Sequence, residues 1–128
     1  VQVLIDYEGG TSALVDGGME MPDSYPFGSR YEVLCDSGAL EYHFSAGGRS
    51  FEEGEGTNRL TIYPGSGDPV VATVEQADPF AAEVGYFAEC VRTGQTPERV
   101  TASDAVLALR LALAARSSIE DGTTVGLD

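Results

Sequence analysis

This chain of 128 residues predicts an α+β fold, a mainly antiparallel open β-sheet with two helices packed on one face. Three observations carry that expectation. Residues 1–75 fall into short β-prone runs separated by glycine- and proline-bearing turns. From Asp78 onward the apolar period changes to that of a helix, twice over. Residues 123–127 then form a short, partly β-branched run that reads as a closing strand.

Taken in order, residues 1–8 and 11–20 are strands flanking Gly9-Gly10, a pair suited to a two-residue hairpin turn. Residues 21–28, with Pro22 and Pro26, make a loop. Strands at 30–35 and 39–45 flank Asp36-Ser37-Gly38, a second hairpin. Residues 46–57 carry Gly47, Gly48, Gly54 and Gly56 with Glu52, Glu53 and Glu55, and read as a loop. The acidic cluster there lacks the converging ligands and turn chemistry of a hard-cation site. Strands at 59–63 and 70–75 are joined through Pro64-Gly65-Ser66-Gly67-Asp68.

The helices have clear ends. Asp78 is a good N-cap, and Pro79 takes the first helical position, where a missing N–H costs nothing. Phe80, Val84, Phe87, Ala88 and Val91 recur at helical spacing up to Gly94, so the helix spans 79–93. Thr101 with Asp104 resembles a capping box and opens a helix over 102–121, stopped by Gly122. Its many alanines and leucines, among them Ala105, Ala108, Leu109 and Leu113, suit close packing on a sheet rather than a ligand box.

Alternation sorts the strands into two rows. Val3, Ile5, Tyr7, Tyr31, Val33, Leu40, Tyr42, Phe44, Leu60, Ile62 and Val70 share an apolar row that helices can cover. The opposite row holds Leu4, Leu34, Tyr63 and Val71 among Gln2, Glu32, Glu41, His43 and Thr61. Large apolar residues scattered on a polar face fit either isolated exposure or packing against another sheet. The second reading makes Leu4, Leu34, Tyr63 and Val71 an interface and the protein a homo-oligomer, most simply a dimer.

Composition bounds the function. The length suits one domain spanning 1–128 with a core of its own. No run approaches the roughly 18 apolar residues of a membrane span. The first residues lack the charged and apolar regions of a signal peptide, so a cytoplasmic protein is expected. Acidic residues number 21 against seven arginines and no lysine, a net charge of −14. Such a chain repels phosphate backbones, which argues against nucleic acid as a partner. The same bias suggests a halophile or a high-GC bacterium as source. Cys35 and Cys90 lie in apolar patterns and read as buried free thiols of a reducing cytosol.

Residues 78–127 also carry a resemblance. Asp78-Pro79-Phe80, Glu83, Phe87, Gly94, Pro97, Thr101, Asp104-Ala105, Leu109, Ala114-Ala115, Ser118, Gly122, Val125 and Leu127 match a pattern of one family. It is similar to the C-terminal end of the Gfo/Idh/MocA oxidoreductases, the glucose–fructose oxidoreductase and inositol dehydrogenase family. More loosely, Tyr31 to Tyr42 resembles that family's "E..G..G.L" strand pair, with Cys35 standing where the family has glycine. The resemblance implies a C-terminal α+β domain with an open sheet that forms the subunit interface. It also implies a separate N-terminal Rossmann domain in the same protein, binding NAD or NADP.

The residues for that chemistry are not in this sequence. There is no G-x-G-x-x-G, and Gly9-Gly10, Gly17-Gly18 and Gly47-Gly48 do not open helices. The family's E-K-P-like lysine has no counterpart, and His43, the only histidine, has no carboxylate four residues away. No cofactor, metal or catalytic residue is therefore assigned to this chain. His43 reads as a sheet histidine between Tyr42 and Phe44.

Two positions are candidates for substrate binding. Tyr25, in the loop before the "E..G..G" strand, matches the place from which family members offer an aromatic hydroxyl. Arg30 follows that loop and suits an anionic group, or a surface ion pair. Two functions stay open at this point. One is the substrate-side and oligomerisation domain of an NAD(P)-dependent oxidoreductase acting on a sugar, polyol or related hydroxyl compound. The other is a non-enzymatic α+β module for dimerisation or small-ligand binding.

Overall fold

A computed structural model describes residues 1–46, 56–74 and 78–127. In chain order the elements are β1 (Gln2–Asp6), β2 (Ser12–Asp16), β3 (Gly28–Cys35), β4 (Gly38–Ser45), β5 (Thr57–Pro64), β6 (Val70–Ala72), α1 (Pro79–Thr93) and α2 (Ala102–Asp121). The fold is α+β with antiparallel strands throughout. It divides into two compact units, Val1–Gly17 with Asp78–Asp128 and Gly18–Ala77. The acidic cluster of Glu52, Glu53 and Glu55 lies outside the described residues.

One open sheet was expected, and there are two. β1 pairs only with β2, while β3, β4, β5 and β6 form a four-stranded sheet in sequence order. The reason is that alternation reports which face a side chain takes and says nothing of which strands share hydrogen bonds. The expected closing strand is also missing, since residues 123–127 carry no strand. With Gly126 inside it and no strand edge pairing with it, that short run has nothing to hold it extended.

In the first unit, β1 and β2 pair in register from Gln2↔Asp16 to Asp6↔Ser12. The turn is longer than two residues. Tyr7 N–H donates to the Thr11 carbonyl at 2.9 Å, and Gly10 N–H donates to the Tyr7 carbonyl at 3.0 Å. That leaves Glu8, Gly9 and Gly10 as a three-residue loop, with Gly10 left-handed at φ 81°. A tight turn followed by a left-handed glycine is the standard three-residue hairpin.

Both helices end as the sequence indicated. The Asp78 carboxylate accepts from Phe80 N–H at 2.9 Å and Ala81 N–H at 3.3 Å, which satisfies two donors that have no partner inside α1. Gly94, at φ 69°, stops α1 and returns its N–H toward the Val91 carbonyl, while Gln95 N–H reaches the Cys90 carbonyl. α2 opens with a full capping box. Thr101 Oγ1 accepts from Asp104 N–H at 3.2 Å, and Asp104 accepts from Thr101 N–H at 2.8 Å. Among the described residues, no helix is long and apolar enough to cross a membrane.

In the second unit the register fixes the faces. Tyr31↔Tyr42↔Leu60↔Ala72 and Val33↔Leu40↔Ile62↔Val70 build one apolar face. Leu34↔Ala39↔Tyr63 and Glu32↔Glu41↔Thr61↔Val71 build the other. The rows read from alternation are thus the rows of this sheet. Leu4 is the exception, because it belongs to the separate β1–β2 sheet, opposite Leu14. The cysteines differ from each other: Cys90 is buried, but Cys35 is exposed. Cys35 ends an edge strand beside the Asp36-Ser37 turn, where no further strand covers it.

Candidate functional site

The polar face of the four-stranded sheet gathers most of the residues that the sequence singled out. Its centre is Glu41, on β4. One Glu41 oxygen lies 3.0 Å from the Arg30 guanidinium of β3, and the other accepts from the Tyr63 hydroxyl of β5 at 3.0 Å. Arg30 also donates to Glu32 at 2.5 Å. One carboxylate therefore ties three strands together on one face. The hydrogen bond to Glu41 raises the Tyr63 pKa above the usual tyrosine value, because losing the phenol proton would set two negative charges side by side.

Beside this network runs a second row. The register places Arg30, His43 and Arg59 next to one another across β3, β4 and β5. His43 is exposed, as expected of a sheet histidine. Leu34, at 87% exposure, Val71, at 56%, and Tyr63, at 38%, complete the face. Leu4 is 65% exposed but sits in the other unit. Three of the four expected interface residues are therefore brought onto one surface.

Tyr25 and Arg30 both belong to the second unit. Tyr25 closes a turn with its N–H on the Pro22 carbonyl at 2.8 Å, and its ring is exposed. It belongs to a loop stiffened by Pro22 and Pro26. Arg30 is already held by Glu32 and Glu41, so an anionic ligand would compete with two carboxylates. No group of three His, Cys, Asp or Glu among the described residues could hold a metal ion.

A second feature lies in the first unit. Tyr86, Cys90, Gln95, Thr96, Glu98 and Arg99 line a cavity of about 400 Å³. The Tyr86 hydroxyl accepts from Glu98 N–H at 2.7 Å and Arg99 N–H at 3.3 Å, and the Arg99 guanidinium lies 4.8 Å from the Tyr86 ring centre. These contacts fasten the connection after α1 back onto the helix. Sequence reasoning missed this clamp, since nothing in the spacing of Tyr86 and Arg99 marks it. It also missed Glu41 as a hub. Alternation put Glu41 on the right face, but only the register shows which neighbours it reaches.

The fold is α+β, with two antiparallel sheets and two helices. No family model matches the chain, and no solved structure does. A curated protein does match: the D-xylose 1-dehydrogenase (NADP(+)) 2 of Haloferax volcanii is 29% identical over 125 residues, 98% of this chain. The chain spans 35% of the length of that relative. It is therefore similar to part of an oxidoreductase.

Proposed function

We propose that this chain is the C-terminal, substrate-side and oligomerisation part of an NAD(P)-dependent oxidoreductase acting on a sugar, polyol or related hydroxyl compound. The likeness to an NADP-dependent xylose dehydrogenase over 98% of this chain carries the reading. The same relative makes NADP the favoured cofactor of the whole protein. The cofactor and the acid/base group would come from a Rossmann part in the same protein. This chain would supply a wall of the substrate pocket, with Tyr25 as a hydroxyl donor and Arg30 beside it, and the sheet face for a second subunit.

The direct test is to purify the whole protein and follow NADP reduction with D-xylose and a panel of sugars and polyols. Turnover of one of them is expected, and failure across the panel with both NADP and NAD would overturn the proposal. Tyr25→Phe should then raise KM with little change in kcat, as expected for loss of a binding contact. By contrast, residues 1–128 alone should neither bind NAD(P) nor turn over polyols. Calorimetry detecting sub-millimolar binding would show a cofactor site in this chain instead.

A further inference from the structure

The cavity beside α1 is lined by two opposite charges that do not pair. Glu98 and Arg99 both face it, together with Tyr86, Cys90, Gln95 and Thr96, all within the first unit. Elsewhere Arg30, Arg92 and Arg116 each sit against a glutamate. Among the described residues, the Glu98 carboxylate and the Arg99 guanidinium have no ion pair and no side-chain hydrogen bond, with each other or with any other group.

The contacts with Tyr86 show what holds these neighbours. Both backbone N–H groups donate to the Tyr86 hydroxyl, at 2.7 and 3.3 Å, and the Arg99 guanidinium lies over the Tyr86 ring, 4.8 Å from its centre. A stacked guanidinium is fixed in position while its N–H edge stays free, the arrangement that takes a carboxylate through two parallel hydrogen bonds. The Tyr86 hydroxyl has both acceptor positions filled, so only its proton remains to be shared.

Charge selects the ligand. The chain carries −14, so a simple anion is repelled on approach, and Glu98 repels it again inside the cavity. A simple cation would suit Glu98 but would be opposed by Arg99. The cavity also lies at the C-terminal end of α1, where Cys90 stands in the last turn and Gln95 follows the Gly94 stop. The partial negative charge of a helix C-terminus favours an ammonium there. A molecule carrying a carboxylate and an ammonium meets both charges at once and has no net charge to be repelled. The volume, about 400 Å³, lies within the roughly 300–1,000 Å³ of small-molecule sites.

We propose that this cavity binds a small zwitterion, a free α-amino acid, with its carboxylate on the Arg99 guanidinium and its ammonium on Glu98. Cys90 stands in the wall, which makes its thiol a reporter of occupancy. The site is separate from the Tyr25 and Arg30 reading above and stands or falls without it.

The test follows alkylation of the two cysteines by peptide mass spectrometry while the standard L-amino acids are added one at a time. At least one of them should protect Cys90, slowing its modification about tenfold at ten times the Kd. Exposed Cys35 should react as before, as the internal control. Acetate and methylamine, which each carry one of the two charges, should give no such protection. Arg99→Gln should abolish the effect, and Glu98→Gln should weaken it at least tenfold. The Glu98 side chain makes no contact on which the fold depends, so loss of protection in that variant reports binding rather than unfolding. Failure of every amino acid at tens of millimolar would overturn the proposal. So would equal protection by acetate or by methylamine, or protection that survives in both variants.

Discussion

Glu41 accepts from Tyr63 while lying against Arg30, and the consequences can be followed proton by proton. The carboxylate keeps the Tyr63 phenol protonated beyond its usual range. A group whose folded pKa is raised stabilises the fold below its unfolded value, about 10 for tyrosine, and loses that contribution as pH climbs through the folded value. Glu41→Gln should therefore let Tyr63 ionise at lower pH, which NMR of labelled tyrosine ring carbons would resolve; an unchanged or higher midpoint would contradict the assignment. The sequence made the shared face of Arg30, Glu41 and Tyr63 legible, because parity along a strand is a local property. It did not reveal their contacts, which depend on how the turn at Asp36-Ser37 and the connection at 65–69 set the register. Arg59 escaped notice for the same reason: only its place opposite His43 gives it a neighbourhood.

The helices behave differently, because their ends are written in contiguous residues. Asp78, Pro79 and Gly94 mark α1, and Thr101, Asp104 and Gly122 mark α2, each through a backbone group a few positions away. The α2 cap can be tested on its own. Thr101→Ala removes one acceptor for the Asp104 N–H and should cost about 1 kcal/mol in chemical denaturation. Hydrogen bonds from the Thr101 backbone and side chain hold the Asp104 carboxyl below its ordinary pKa. A depressed carboxylate stabilises the fold above its unfolded value, about 3.9, and that contribution fades as pH falls through the folded value. The difference between the unmodified protein and Thr101→Ala should narrow in acid; a gap that widens there would refute the cap. The strands misled in proportion to how far their partners lie. The Gly9-Gly10 hairpin was found but its turn was one residue short, and residues 123–127 look extended in sequence yet have no ladder to join.

At the scale of the molecule, charge outweighs any single contact. With −14 on 128 residues, self-repulsion opposes both folding and association. The screening length shrinks from about 30 Å at 0.01 M salt to about 8 Å at 0.15 M. The melting temperature should therefore rise over that interval, and self-association should strengthen with it. A flat or falling melting curve would show that the acidic residues are compensated locally. If the face opposite Tyr31 and Val33 is the contact surface, Leu34→Glu or Val71→Glu should dissociate the protein and leave it folded. Loss of helical and sheet signal in Leu34→Glu would mean that this side chain belongs to a core.

The two cysteines give the molecule a built-in clock. Cys35 stands open at the end of β3, while Cys90, 5% exposed, sits in the last turn of α1, one turn on from Tyr86. A thiol reagent should modify Cys35 at the speed of a free thiol and reach Cys90 only when that turn opens. Under conditions where closing outpaces alkylation, the ratio of the two rates is a direct reading of the opening equilibrium. Loosening the clamp with Tyr86→Phe should speed the slow phase and leave the fast one unchanged.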